Sequence, residues 1–193
     1  MRATDTIFAL SSGAPPAAIA LMRISGPDSV NAAEALTGSV PEARRASLRI
    51  LRDASGEELD RALVLVFPGP DSATGEDLVE LHLHGGRAVV RAVAAALAAL
   101  PGLRPAEAGE FTRRAFLNGR MDLNEAEGLA DLLAAETEWQ RRAAGAMMGG
   151  AFSRRIEQWR QEVLVLSALT EAELDFSDEG DVEAQNNDII SIG

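Results

Sequence analysis

EFTRRAFLNGRMDLNEAEGL, Glu110 to Leu129, is the stretch at which the chain changes character. Three arginines (Arg113, Arg114 and Arg120) fall within eight residues, and the sign then flips to Asp122, Glu125 and Glu127. Upstream, short apolar runs alternate with Gly and Pro. Downstream, apolar residues recur at helical spacing. The stretch therefore divides the chain into an α+β N-terminal domain, a mixed sheet with helices over residues 1–120, and an all-α helical segment over residues 121–193. Two readings of the arginines stand at this point. They compensate charge at a helix junction, or they belong to a site for an anionic ligand.

The charge distribution points to the same division. The chain has 193 residues and a formal net charge of -12, and 47% of its residues are hydrophobic, enough to bury a core. Residues 1–120 hold 13 Arg against 14 Asp plus Glu, whereas residues 121–193 hold 5 Arg against 16. Neither part has the basic excess that phosphate-backbone binding needs, which argues against tight nucleic-acid binding by this chain alone. There is no cysteine, so disulfides, thiolate metal sites and cysteine nucleophiles are excluded. There is also no lysine, so no GxxxxGK[ST] phosphate-binding loop exists in these residues. The N-terminal MRATDTIFALSSGAPP carries Asp5 and two prolines and does not fit a signal peptide. AVAAALAAL, Ala92 to Leu100, is too short to span a bilayer. A soluble, intracellular protein is expected.

TIFAL and AAIALMRIS fit buried strands, bounded by Gly and Pro. GPDSVNAAEALTG reads as a short helix opened by Pro27 and Asp28 and closed by Gly38. ASLRILRD and DRALVLVFPGP flank the turn ASGEE as a hairpin, and EDLVELHLHGG is a strand ending in two glycines. RAVVRAVAAALAALPG is a helix stopped by Pro101 and Gly102, and GEFTRRAFLNG is a short one ending at Gly119. DLNEAEGLADLLAAETEWQRRAAGAM reads as one amphipathic helix, with Asp122 and Glu125 as a capping box. AFSRRIEQWRQEVLVLSALTEAEL is a second, with the stripe Phe152, Ile156, Trp159, Val163, Leu166 and Leu169. Gly149 and Gly150 separate the two. Two long helices cannot bury their apolar faces without partners, so an incomplete bundle or an oligomer is expected. The tail DFSDEGDVEAQNNDIISIG is acidic.

Four places carry candidate chemistry. In ELHLH, Glu80, His82 and His84 alternate onto one strand face, either as metal ligands or as residues of a half-buried strand bonded to neighbours. Gly85 and Gly86 lie between strand and helix, either as an anion seat or as a tight turn. Arg23, in MRISGP, sits among apolar residues and needs a carboxylate or a ligand as partner. In the opening stretch, Arg113 and Arg114 fit a solvated helix face, and Arg120 fits either a junction or a site. No catalytic constellation emerges.

Four blocks together resemble one family. They are DTIFALSSGAPPAAIALMRISGP (Asp5–Pro27), FPGPDSATGEDLVELHLHGG (Phe67–Gly86), AGEFTRRAFLNGRMDLNEAEGLADLL (Ala108–Leu133) and ELDFSDEG (Glu173–Gly180). In this order they resemble the MnmE (TrmE) family of tRNA modification GTPases, from Asp5 to about Asp188. The resemblance implies an N-terminal α+β domain that binds a tetrahydrofolate, 5-formyl- or 5,10-methylene-tetrahydrofolate, and forms a homodimer. A helical domain follows, into which a Ras-like GTPase domain with GTP, Mg and K is inserted. With a flavin-dependent partner, MnmG (GidA), such proteins modify carbon 5 of the wobble uridine of tRNA in the cytoplasm. The folate supplies a one-carbon unit, and the amine is glycine, ammonium or taurine. This chain is expected to be a fragment that stops where the GTPase domain begins and does not hydrolyse GTP.

The family's folate-contacting positions map onto Arg23 of the R-[IL]-S-G motif, Glu80 of GED-x-x-E, and Arg120 after RAFLN-x, where relatives often have lysine. No catalytic residue and no metal ligand carries over. A basic contact near the family's C-terminus has no counterpart, and Ala14 stands in a loop where relatives often carry arginine. An ionised Glu80 suits the pterin's ring N–H and amino group, and Arg23 and Arg120 suit carboxylates or carbonyls. His82 and His84 then become neighbours of the folate-facing glutamate. The alternatives are a structural dimerisation scaffold without folate binding and a free-standing folate-dependent one-carbon transfer domain.

Overall fold

The structure, a computed structural model, describes residues 5–176. The chain divides into two compact units, Met1–Leu123 and Asn124–Gly193. No helix among the described residues is long and apolar enough to cross a membrane. The acidic tail from residue 177 onward lies outside the described residues.

The first unit is an α+β fold around one mixed sheet. Its strands are β1 (Thr6–Leu10), β2 (Ile19–Ser25), β3 (Ser47–Arg52), β4 (Glu58–Phe67), β5 (Leu78–His84) and β6 (Leu103–Pro105). The order across the sheet is β3-β4-β5-β2-β1-β6. Every neighbouring pair is antiparallel except β1 and β6, which run parallel. The β3–β4 hairpin is set by Asp53, whose Oδ1 accepts from the N–H groups of Ser55 and Glu57, with Gly56 at φ 86° closing the turn. β6 escaped the sequence reading: three residues ending in proline carry no alternation to read.

Helices α1 (Ser29–Thr37) and α2 (Arg87–Ala98) cover one face of this sheet. Gly38 closes α1 in the left-handed conformation, as its place after the helical run predicts. Ala33 and Leu36 of α1 and Val93 and Leu97 of α2 join the alternate strand residues Ala20, Met22, Ile24, Val64, Val66, Val79, Leu81 and Leu83 in the core. Burying each of the larger side chains contributes roughly 1.5–3 kcal/mol. Gly85 is needed for close approach. A Cβ there would lie 2.2 Å from the Ala17 carbonyl oxygen, which explains one glycine of the strand–helix junction as packing.

The second unit holds α4 (Leu123–Ala134), α5 (Glu138–Met148) and α6 (Ala151–Phe176), after α3 (Glu110–Leu117) of the first. The single helix expected from Asp122 onward is two. Thr137 breaks it, because its side chain accepts from the Gln140 N–H while the Gln140 side chain accepts from the Thr137 N–H. That capping box starts a new helix and leaves residues 135–137 as a turn. Gly149 and Gly150 separate α5 from α6, as read. α4 and α5 approach closely at Gly128, where a Cβ would lie 2.6 Å from the Met148 nitrogen. On α6, Phe152, Ile156, Trp159, Val163 and Leu169 are all exposed.

Candidate functional site

The sheet face turned away from α1 and α2 carries the candidate site. Directly paired residues on neighbouring strands share a face, so the register defines three rows. Leu63, His82 and Leu21 form one, Leu65, Glu80, Arg23 and Ala9 the next, and Phe67, Leu78, Ser25 and Ile7 the third. Two of the three residues carried over from the resemblance meet here. Arg23 Nε donates to Glu80 Oε1 at 2.8 Å, so the carboxylate partner that Arg23 requires is Glu80. Glu80 is largely covered and Arg23 about one third exposed, which makes the pair both held and reachable.

The adjacent row leads to Arg120. Ser25 Oγ pairs with Thr74 Oγ1 at 2.7 Å and donates to Glu76 Oε2 at 2.9 Å, fixing the loop before β5 against β2. Asn118 Nδ2 donates to the Thr74 carbonyl, and the Arg120 side chain lies across Gly75. Gly75 has φ 78°, and a Cβ there would meet Asn118 at 2.8 Å and Arg120 at 3.1 Å. Only glycine lets the loop and the Arg120 stem lie together. Arg120 Nη1 reaches Asp71 Oδ1 at 3.7 Å, an ion pair too long for a hydrogen bond.

The other two arginines of the opening stretch separate. Arg113 is exposed, but Arg114 does not lie on a solvated face: its side chain is 5% exposed. It is the centre of a buried ionic network. It donates to Asp5 Oδ1 at 2.9 Å, to Glu76 Oε2 at 3.1 Å and to Glu110 Oε1 at 3.3 Å. Arg104 forks onto both oxygens of Glu110, at 2.6 and 2.8 Å, and its Nε donates to Asp5 Oδ2 at 2.6 Å. The hydrogen-bonded Arg104 guanidinium holds the Glu110 carboxyl down at about 2 from an ordinary 4.5, against the upward push of burial and with help from the Glu107 N–H and Arg114. Sequence reasoning missed Asp5, Glu76 and Arg104, whose partners are fixed only by the fold.

The histidines have different surroundings. His84 Nδ1 lies 2.7 Å from Asp60 Oδ1, and its backbone N–H donates to Asp60 Oδ2. His82 Nε2 lies 3.5 Å from Glu80 Oε2, is buried and has no hydrogen-bond partner. Glu80 thus has one oxygen bonded to Arg23 and the other 3.5 Å from His82 Nε2. Among the described residues no group of three or more His, Asp or Glu is placed to hold a metal ion. Ala14 lies exposed in the loop joining β1 to β2.

Comparison with known proteins matches the sequence to a family. The description "GTP-binding protein TrmE N-terminus" matches residues 6–120, and "MnmE helical domain" matches residues 123–191. The chain belongs to the MnmE (TrmE) family. It is 67% identical over 183 residues to the tRNA modification GTPase MnmE of Rhizorhabdus wittichii, 65% over 179 residues to that of Erythrobacter litoralis, and 59% over 182 residues to that of Azorhizobium caulinodans. These matches cover 93–94% of this chain but 42% of each relative, so the chain spans about two fifths of the MnmE proteins it matches. The Arg23–Glu80 pair lies within the region matched to the TrmE N-terminus, and α4 to α6 lie within the MnmE helical match.

Proposed function

We propose that this chain is the tetrahydrofolate-binding and homodimerisation module of a tRNA modification GTPase. In that reading the whole protein acts in the cytoplasm with a flavin-dependent partner, MnmG, on carbon 5 of the wobble uridine. GTP, Mg and K belong to a further domain, and tRNA is engaged by the full complex. The observation that carries the reading is the half-covered Arg23–Glu80 pair, with one carboxylate oxygen bonded and the other facing the unpartnered His82 Nε2. A buried imidazole nitrogen without a partner is a cost that a bound polar group relieves.

The residues fit a reduced folate, 5-formyl- or 5,10-methylene-tetrahydrofolate. Such a cofactor supplies a one-carbon unit when bound. Glu80, an acceptor when ionised, suits the donor edge of a pterin, and Arg23 orients it and offers its remaining N–H groups to a carbonyl. Arg120, 41% exposed and only loosely paired, suits a carboxylate. Dimerisation draws support from Ile19, Leu48 and Leu63, exposed apolar residues on this same sheet face, which a second copy would bury.

Calorimetric titration with 5-formyltetrahydrofolate tests the reading. Saturable binding is expected, weakened about tenfold or more in Glu80→Ala and in Arg120→Ala. Absence of binding by the wild-type chain, with dimerisation seen by sedimentation, would leave the structural scaffold as the better reading. One-carbon transfer without any added partner would favour a free-standing transfer domain.

A further inference from the structure

A second cation stands beside Arg120. Arg44, in the connection from α1 to β3, is exposed, and its Nη2 donates to the Asp71 backbone oxygen, while Arg120 faces the carboxylate of the same Asp71. The Arg44 guanidinium lies over the Phe67 ring, 5.9 Å from its centroid. Phe67 belongs to the Ser25 row of the same sheet face, one pleat repeat along β4 from Leu65, the cross-strand partner of Glu80. That step is roughly 6.7 Å. Arg44 is therefore a neighbour of the candidate site along the sheet, although it is separated from Glu80 in sequence by the β3–β4 hairpin and the loop before β5.

Its backbone is strained. At φ 61°, Arg44 is the one non-glycine residue with positive φ among the described residues. A long side chain in the left-handed region is disfavoured and persists only where the surroundings enforce it. Here the Arg44 N–H donates to the Val66 carbonyl at 2.8 Å, which pins the backbone to β4 and aims the side chain over Phe67. Two guanidiniums thus converge on a single residue, Asp71, whose side chain is 78% exposed. The solvated Asp71 carboxylate is a weak and displaceable anion for Arg120, and Arg44 bonds the main-chain oxygen of the same residue.

We infer that Arg44 and Arg120 form a clamp for the two carboxylates of a folate's glutamate tail, with the Asp71 carboxylate giving way when the tail binds. This rests on the folate reading above and extends it. Glu80 and Arg23 take the pterin end, and the clamp takes the far end of the same ligand across Leu65 and Phe67.

The test compares 5-formyltetrahydrofolate with 5-formyltetrahydropteroate, which lacks the glutamate, by calorimetry on the wild-type chain, Arg44→Ala and Arg120→Ala. The wild-type chain is expected to prefer the folate. Each variant should lose about tenfold in folate affinity, the scale of a charge-assisted hydrogen bond, and keep its pteroate affinity. Unchanged pteroate binding also shows that the variant is folded. Equal wild-type affinity for both compounds, or equal losses for both in Arg44→Ala, overturns the clamp and leaves the folate reading standing. A wild-type chain that binds neither compound overturns both.

Discussion

The two units use charge and apolar surface in opposite ways. In Met1–Leu123, arginines and carboxylates are buried together and apolar side chains are sealed between sheet and helices. In Asn124–Gly193, ion pairs such as Glu138–Arg141 and Glu157–Arg160 lie on helix surfaces, and the α6 stripe faces outward. The carboxyls of Glu110, Glu138 and Glu157 are all held at about 2, each by hydrogen-bonded arginines. A like shift does not mean a like contribution. A buried ion responds to the loss of its partner, whereas a solvated pair is screened and flexible. The contrast teaches that the first unit encloses its strongest ion pairs and one apolar face of its sheet, while the second keeps its ion pairs and its α6 stripe at the surface.

Mutation can break this contrast, and both tryptophans, Trp139 and Trp159, lie in the second unit, so their fluorescence reads that unit. The largest effect is expected for Arg114→Ala, which removes the cation bonded to Glu76 and leaves Arg104 as the one arginine hydrogen-bonded to Glu110; it should cost about 3–5 kcal/mol in urea unfolding followed by circular dichroism. Leu81→Ala opens a cavity in the sheet core and should cost about 2–4 kcal/mol by the same measurement. Acid sharpens the comparison. Because the Glu110 carboxyl is depressed in the folded state, its contribution is complete above 4.5 and disappears as pH falls toward about 2. Glu110→Gln should therefore flatten the stability–pH curve across that window, while Glu157→Gln, on an exposed helix, should leave it nearly unchanged.

Thr137→Ala removes the α5 capping box and should cost about 1 kcal/mol, visible in tryptophan fluorescence during unfolding. Val163→Ala should be the mildest, within about 0.5 kcal/mol, because its side chain is 63% exposed and leaves no cavity. A large loss there would mean that the α6 stripe is already covered in solution.

Much of the first unit was legible because its signals are local. Alternation in LVELHLH and the Gly38 stop of α1 depend on neighbouring residues alone. Thr137-x-x-Gln140 was equally local and went unread, since the apolar period continues across it. Arg23, Glu80 and Arg120 were named as candidates through the family blocks, and the register brings the first two together. Arg114 was not, because its burial depends on Asp5, 109 residues away, and on Glu76, 38 residues away. No spacing rule links such partners. Arg44 was hidden for the same reason: only the β4 pairing places its loop over Phe67.

The parallel pairing of β1 with β6 joins Thr6 to Leu103, and the Arg114 network returns to Asp5. On a ribosome the first strand is made early, but its outer neighbour is made almost last. Until the segment through Arg114 has left the exit tunnel, Glu76 lacks the arginine that bonds it, and β1 keeps an open edge until Leu103–Pro105 has emerged. β6 then covers that edge, and Arg104 and Arg114 bring cations to Asp5, Glu76 and Glu110, so residues 103–114 are the last that this domain needs for its sheet and its ionic network.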